Sequence, residues 1–147
     1  MKQNKQAISD SLARFLADTY ATFLKTQNFH WNVTGTDFGQ LHLLFEKQYT
    51  DLFEAIDEIA ERISALGFDV DGSFSSFSQL TKVHEDRGVL TAKEMVEHLI
   101  SAHEVTLSHG RIVMDLAERE KDGATVDMIG KRLGVHEKFV WMLRSSL

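Results

Sequence analysis

No proline occurs anywhere in the 147 residues of this chain. Proline ends helices because it lacks a backbone N–H and its ring clashes with the preceding turn. Its absence leaves long helices unobstructed, and apolar residues recur at helical spacing almost throughout. Ser9 or Asp10 is placed to cap a first helix, along which Leu12, Phe15, Thr19, Phe23 and Thr26 step on one face toward His30. Val33-Thr34-Gly35-Thr36-Asp37 reads as a turn, with Thr36 or Asp37 capping a second helix from Phe38 to Leu66, closed by Gly67. From Val70 to Leu80 runs a long connection, in which Phe74, Phe77 and Leu80 make a short amphipathic turn of helix. Thr91 and Glu94 match a capping box that opens a third helix, with Met95, Leu99, Ala102, Thr106, Val113 and Leu116 inward. That helix runs to about Lys121 and is broken by Gly123; a fourth from about Thr125 carries Ile129, Leu133, His136, Val140 and Leu143.

This length suits a single domain, residues 1–147, large enough to bury a core without staples. Four helices with one long connection between the second and third describe an all-α fold, a ferritin-like four-helix bundle. With no cysteine, disulfide and thiolate chemistry are excluded. The opening MKQNKQAISD has no apolar run of signal-peptide type and no stretch has the length of a membrane span, so a cytoplasmic location is expected. The net charge of −6 suits cationic partners, and the weakly basic start, with Lys2 and Lys5, offers little to a DNA backbone.

The second helix carries two adjacent stripes. Leu41, Phe45, Gln48, Leu52, Ile56, Ile59, Ile63 and Leu66 form a nearly continuous apolar face, the side turned into its own bundle. One residue around lie His42, Glu46, Tyr49, Phe53, Asp57, Ala60 and Glu61, a mixture of metal-ligand types and large aromatics. Aromatics in a row on an outer face mark an interface. His42 and Glu46 point the same way from adjacent turns, as do Asp57 and Glu61. The centres of the two pairs are fifteen residues apart, roughly 22 Å at the helical rise, too far for one metal site. An antiparallel contact of this helix with its copy about a two-fold axis removes the difficulty and makes two equivalent sites. Tyr49 and Phe53 then form the apolar centre of the interface, and His30 reaches the His42 side. Two imidazoles and three carboxylates suit Fe²⁺, Mn²⁺ or Zn²⁺.

The run His30-Trp31-x-Val33-x-Gly35, then Phe38, Leu41-His42, Phe45, Tyr49 and Asp57-Glu58-x-Ala60-Glu61-Arg62-Ile63, resembles the signature of the Dps family, or mini-ferritins. The likeness extends over essentially the whole chain, including the short middle helix and the late Trp141-Met142. It implies a hollow dodecamer that oxidises Fe²⁺, preferentially with hydrogen peroxide, at two-metal ferroxidase sites on the dimer two-fold, and stores ferric mineral as protection against oxidative damage. By position His30 and His42 match the family's histidines, and Asp57 and Glu61 the carboxylates supplied by the partner chain. Glu46 stands where the family usually has Asp. No Glu-x-x-His occurs in the chain, which argues against a ferritin centre inside the bundle. The resemblance also implies acidic pores near the start of the fourth helix, for which Asp122 and Asp127 are the candidates and Glu118 and Glu120 alternatives.

Trp31, beside His30, is placed either to intercept stray oxidising equivalents or to serve as an ordinary interface aromatic. His84, His98, His103, His109 and His136 read as structural residues, with His103 and His136 satisfying core hydrogen bonds. Two other functions compete. A nucleoid protein that compacts DNA would require a Lys/Arg-rich terminus, and an inert helical assembly would oxidise iron no faster with His30 and His42 than without them.

Overall fold

The computed structural model describes residues 2–147. They form α1 (Lys2–Asn32), α2 (Phe38–Ala65), α3 (Phe74–Leu80), α4 (Ala92–Arg119) and α5 (Gly123–Arg144). The four long helices and short middle helix are the expected ferritin-like architecture.

Two boundaries and one cap differ from the sequence expectation. α1 starts at Lys2 rather than at a cap on Ser9 or Asp10. The reason is Ile8, which lies on the same stripe as Leu12 and Phe15 and is equally buried, so burial draws the helix past both candidate caps. Asp10 instead accepts a hydrogen bond from Gln6 one turn earlier. Asp37 occupies the N-cap position of α2, but its side chain makes no capping bond. Gly123 does not break the third long helix; Lys121 does, in a left-handed backbone at φ 56°, and Gly123 opens α5. Asp122 caps that helix by accepting from the Thr125 N–H at 3.2 Å.

At the start of α4 the capping box is complete: Thr91 Oγ1 accepts from Glu94 N at 3.1 Å, and Glu94 Oε1 accepts from Thr91 N at 3.0 Å. These bonds hold the Glu94 carboxyl below its ordinary pKa. Replacing Thr91 by Ala is expected to cost about 1 kcal/mol in chemical denaturation; an unshifted midpoint would mean that tertiary contacts alone hold this end.

The apolar core is in two pieces. One joins Phe29, Leu41, Phe45, Leu99, Val140 and Leu143. The other joins Ile8, Leu12, Phe15, Ile59, Val113 and Ile129. The first takes the C-terminal parts of α1 and α5 and the N-terminal parts of α2 and α4; the second takes the opposite ends. α1 and α5 therefore run one way and α2 and α4 the other, which is why the connection between α2 and α4 must travel the length of the bundle. Close approach of α4 is possible because residue 110 is glycine: an added Cβ would meet Leu133 Cδ2 at 2.8 Å and Phe15 Cε1 at 3.0 Å.

Between the two apolar pieces lies a buried polar layer to which each long helix contributes: Thr19 and Thr22, Gln48, His103 and Thr106, Arg132 and His136. The return connection is tied down by two aspartates. Asp18 accepts from the Thr81 hydroxyl at 2.7 Å, from Lys82 N at 2.9 Å, and from His109. Asp86 is hydrogen-bonded to Lys25 and, at 2.7 Å, to His98. His98 and His109 are thus structural, as expected.

Candidate metal centre

The expected inner stripe of α2 is buried at Leu41, Phe45, Gln48, Leu52, Ile59 and Ile63, with Ile56 and Leu66 half-buried at its edges. The adjacent stripe is not covered by the chain's own helices. His42 and Tyr49 are half-buried, Glu46, Asp57 and Glu61 exposed, and Phe53 is 64 % exposed. Trp31 is 62 % exposed nearby at the end of α1. An apolar ring so far out in water belongs to an interface more readily than to a monomer surface.

His30 and His42 meet although twelve residues separate them. Their rings stack with centroids 3.8 Å apart, and each is tied to the other's backbone: His30 Nδ1 lies 2.7 Å from the His42 carbonyl, and His42 Nδ1 lies 2.8 Å from the His30 carbonyl. A carbonyl only accepts, so each Nδ1 carries a proton and donates it. In the neutral rings both Nε2 atoms are then left with free lone pairs, the state a divalent metal requires. Phe38 stacks on the outer face of His42 at 5.1 Å, and Tyr49 sets an edge against His30 at 5.1 Å.

Further along α2, Asp57 and Glu61 are close enough to share a hydrogen bond. That bond and the charge of Asp57 raise the Glu61 pKa above its ordinary value. Two carboxylates held together without a cation are an arrangement that a cation would relieve. Among the described residues, no group of three or more His, Asp or Glu side chains in one chain comes close enough to hold a metal ion. The chain therefore brings His30 to His42 and Asp57 to Glu61, and leaves the two halves apart, with Glu46 exposed one turn beyond His42.

Two contributors were not legible in the sequence. Phe38 entered only as part of the family signature, with no role in the site, and Phe23 only as one of the residues stepping along one face of α1 toward His30. Phe23 is in fact half-buried and touches Tyr49 at 6.1 Å and Phe53 at 6.0 Å, so it extends the aromatic stripe onto α1. Of the pore candidates, Asp122 is committed elsewhere. Burial works to raise its pKa, but hydrogen bonds from Thr125 and the Arg62 guanidinium at 2.9 Å hold it below the ordinary carboxylate value. Asp127 and Glu118 remain exposed, and Glu120 accepts from Asn4 at 2.8 Å.

The bundle with its long crossover defines a ferritin-like protein, and the chain matches the ferritin-like domain family over residues 9–147. It belongs to the Dps family within that class. It is 37 % identical over 147 residues to DNA protection during starvation protein 2 of Bacillus anthracis, covering 98 % of both chains. The DNA protection during starvation protein of Brevibacillus brevis is 32 % identical, with 97 % of this chain and 96 % of that one covered. The Dps crystal structure from Vibrio cholerae O1, described as a ferritin-like diiron-carboxylate protein, superposes with a TM-score of 0.94 at 30 % identity, covering 98 % of this chain and 91 % of that one. No described helix is long and apolar enough to cross a membrane.

Proposed function

We propose that this protein is a mini-ferritin ferroxidase. It oxidises Fe²⁺, preferentially with hydrogen peroxide, at sites shared between two chains, and stores the ferric product inside a hollow dodecamer. The observation that carries this reading is the pair of imidazoles whose Nδ1 atoms are tied to carbonyls while both Nε2 atoms stay free, on a stripe that ends in two carboxylates out of their reach. Across a two-fold axis, His30, His42 and Glu46 of one chain face Asp57 and Glu61 of the other, and Tyr49, Phe53 and Phe23 exclude water between the two sites.

In this chemistry iron is the substrate. Two ferrous ions give one electron each to peroxide, which takes up two protons and leaves as two waters. Delivery of both electrons together avoids the one-electron route that releases hydroxyl radical. The ligands must be neutral imidazole and ionised carboxylate, so iron binding competes with protons and weakens as pH falls. Zn²⁺ or Mn²⁺ would fit the same donor set.

Anaerobic Fe²⁺ titration followed by peroxide tests the reading. The Asp57→Ala, Glu61→Ala variant is expected to oxidise iron at least ~10-fold more slowly at unchanged assembly size; equal rates would remove these residues from the site. A His30→Ala, His42→Ala variant as fast as the parent would favour an inert assembly.

The names of the two relatives raise DNA compaction as the second reading. A protein can protect DNA by coating it or by consuming peroxide, and a net charge of −6 favours the latter. In a gel-shift assay with and without Mg²⁺ the expected outcome is free DNA; retardation at moderate salt would reverse the order of the readings.

A further inference from the structure

We infer that the middle of the bundle holds a sealed water site, bounded by Gln48, His103 and Arg132 in the polar layer between the two apolar clusters. Four atoms there have no protein partner: Gln48 Nε2 and Oε1, His103 Nε2 and Arg132 Nε. All three residues are at most 2 % exposed. Burying a polar atom without a hydrogen bond is costly, so four in one layer demand a ligand.

The protons can be placed. Arg132 Nη2 bonds Asp51 at 2.9 Å and faces His136 Nε2 at 3.4 Å. A guanidinium only donates, so His136 Nε2 accepts and its proton sits on Nδ1. His136 Nδ1 lies 2.8 Å from His103 Nδ1, which must therefore accept, and the His103 proton is forced onto Nε2. Asp51, Arg132, His136 and His103 thus form one directed chain, whose last N–H has no acceptor within the protein. Gln48 stands about one turn from Asp51 on α2, so its amide belongs to the same layer.

The ligand class follows from what the layer presents. It offers three donor groups (His103 Nε2–H, Arg132 Nε–H and the Gln48 NH₂) and one acceptor, the Gln48 carbonyl. A metal cation is disfavoured by the fixed charge of Arg132. The carboxylate at the layer's rim, Asp51, is already paired to that charge. An anion is disfavoured for the same reason: Arg132 is compensated, so the anion would add an unpaired buried charge. Water supplies two donors and two acceptors in a small volume, and buried waters typically make about three hydrogen bonds. Ferritin-like diiron proteins fill the bundle centre with Glu and Glu-x-x-His ligands; here it carries amide, imidazole and guanidinium groups instead.

The test is a crystal structure of the assembled protein at a resolution that shows ordered solvent, with separate bromide and Zn²⁺ soaks. The expected result is a solvent peak within about 3.2 Å of His103 Nε2 and the Gln48 amide, with no anomalous signal. Gln48→Leu crystals are expected to lose or displace that peak with the fold intact. A bromide or zinc anomalous peak in the layer overturns the inference. So does a map in which the four atoms pair with one another and no peak is present. If Gln48→Leu does not fold, the parent maps decide alone.

Discussion

Chains carrying His30→Ala and His42→Ala, refolded together with chains carrying Asp57→Ala and Glu61→Ala, are expected to recover iron oxidation that neither variant has alone. His42 and Asp57 stand fifteen residues apart on α2, roughly 22 Å, so under the proposed function a site takes its histidines and Glu46 from one chain and Asp57 and Glu61 from another. In a mixed dimer both damaged halves fall in one site and both intact halves in the other. With equal amounts and random pairing, half the dimers are mixed and half their sites intact, so about a quarter of parental activity should return. A site contained within one chain predicts none. Stopped-flow oxidation on the refolded mixture separates the outcomes, and a mixture as inactive as its components would end the shared-site proposal.

The second large effect is on acid stability. His103 is fully buried, and desolvation, aided by Arg132, lowers its pKa from 6.5 to about 3. Burial also lowers the His136 pKa well below its ordinary value, reinforced by the charges of His103 and Arg132. In the unfolded chain both residues bind protons as pH falls through 6.5, whereas the folded chain refuses them. The unfolded state then holds more protons, and stability falls with pH by up to about 1.4 kcal/mol per pH unit for each histidine. For His103 the loss runs from 6.5 down to about 3. Between pH 6.5 and 5 most carboxylates stay ionised in both states, so this window isolates the histidines. Denaturation midpoints at fixed protein concentration should drop across it in the parent and flatten in a His103→Leu, His136→Leu variant. Equal slopes in the two proteins would show that the buried pair does not govern acid sensitivity.

Much of this was readable in one dimension because helices are local. The absence of proline, the alternating three- and four-residue spacing on α2, and the Thr91–Glu94 box each act over a few residues, so they predicted helices and faces well. Boundaries were read less well where burial competed with capping. Ile8 carried α1 past Ser9 and Asp10, and Lys121 broke α4 two residues before the glycine that had been assigned the task. The i,i+4 spacing alone placed His42 with Glu46 and Asp57 with Glu61 on one stripe of α2. It did not place Phe23, whose stripe becomes visible only when α1 lies beside α2.

Residue order alone set the four-helix plan, the two faces of α2, and the separation that keeps His42 from Asp57 and Glu61, because helical pitch turns residue number directly into angle and distance. How His30 and His42 are held depends on the packing of α1 against α2. The two crossed Nδ1–carbonyl bonds join residues twelve apart on different helices. The same packing commits Asp122 to Arg62 and a helix end, and brings His103, His136 and Arg132 together. Such meetings depend on where separate helices cross, and no periodicity within a single helix encodes that.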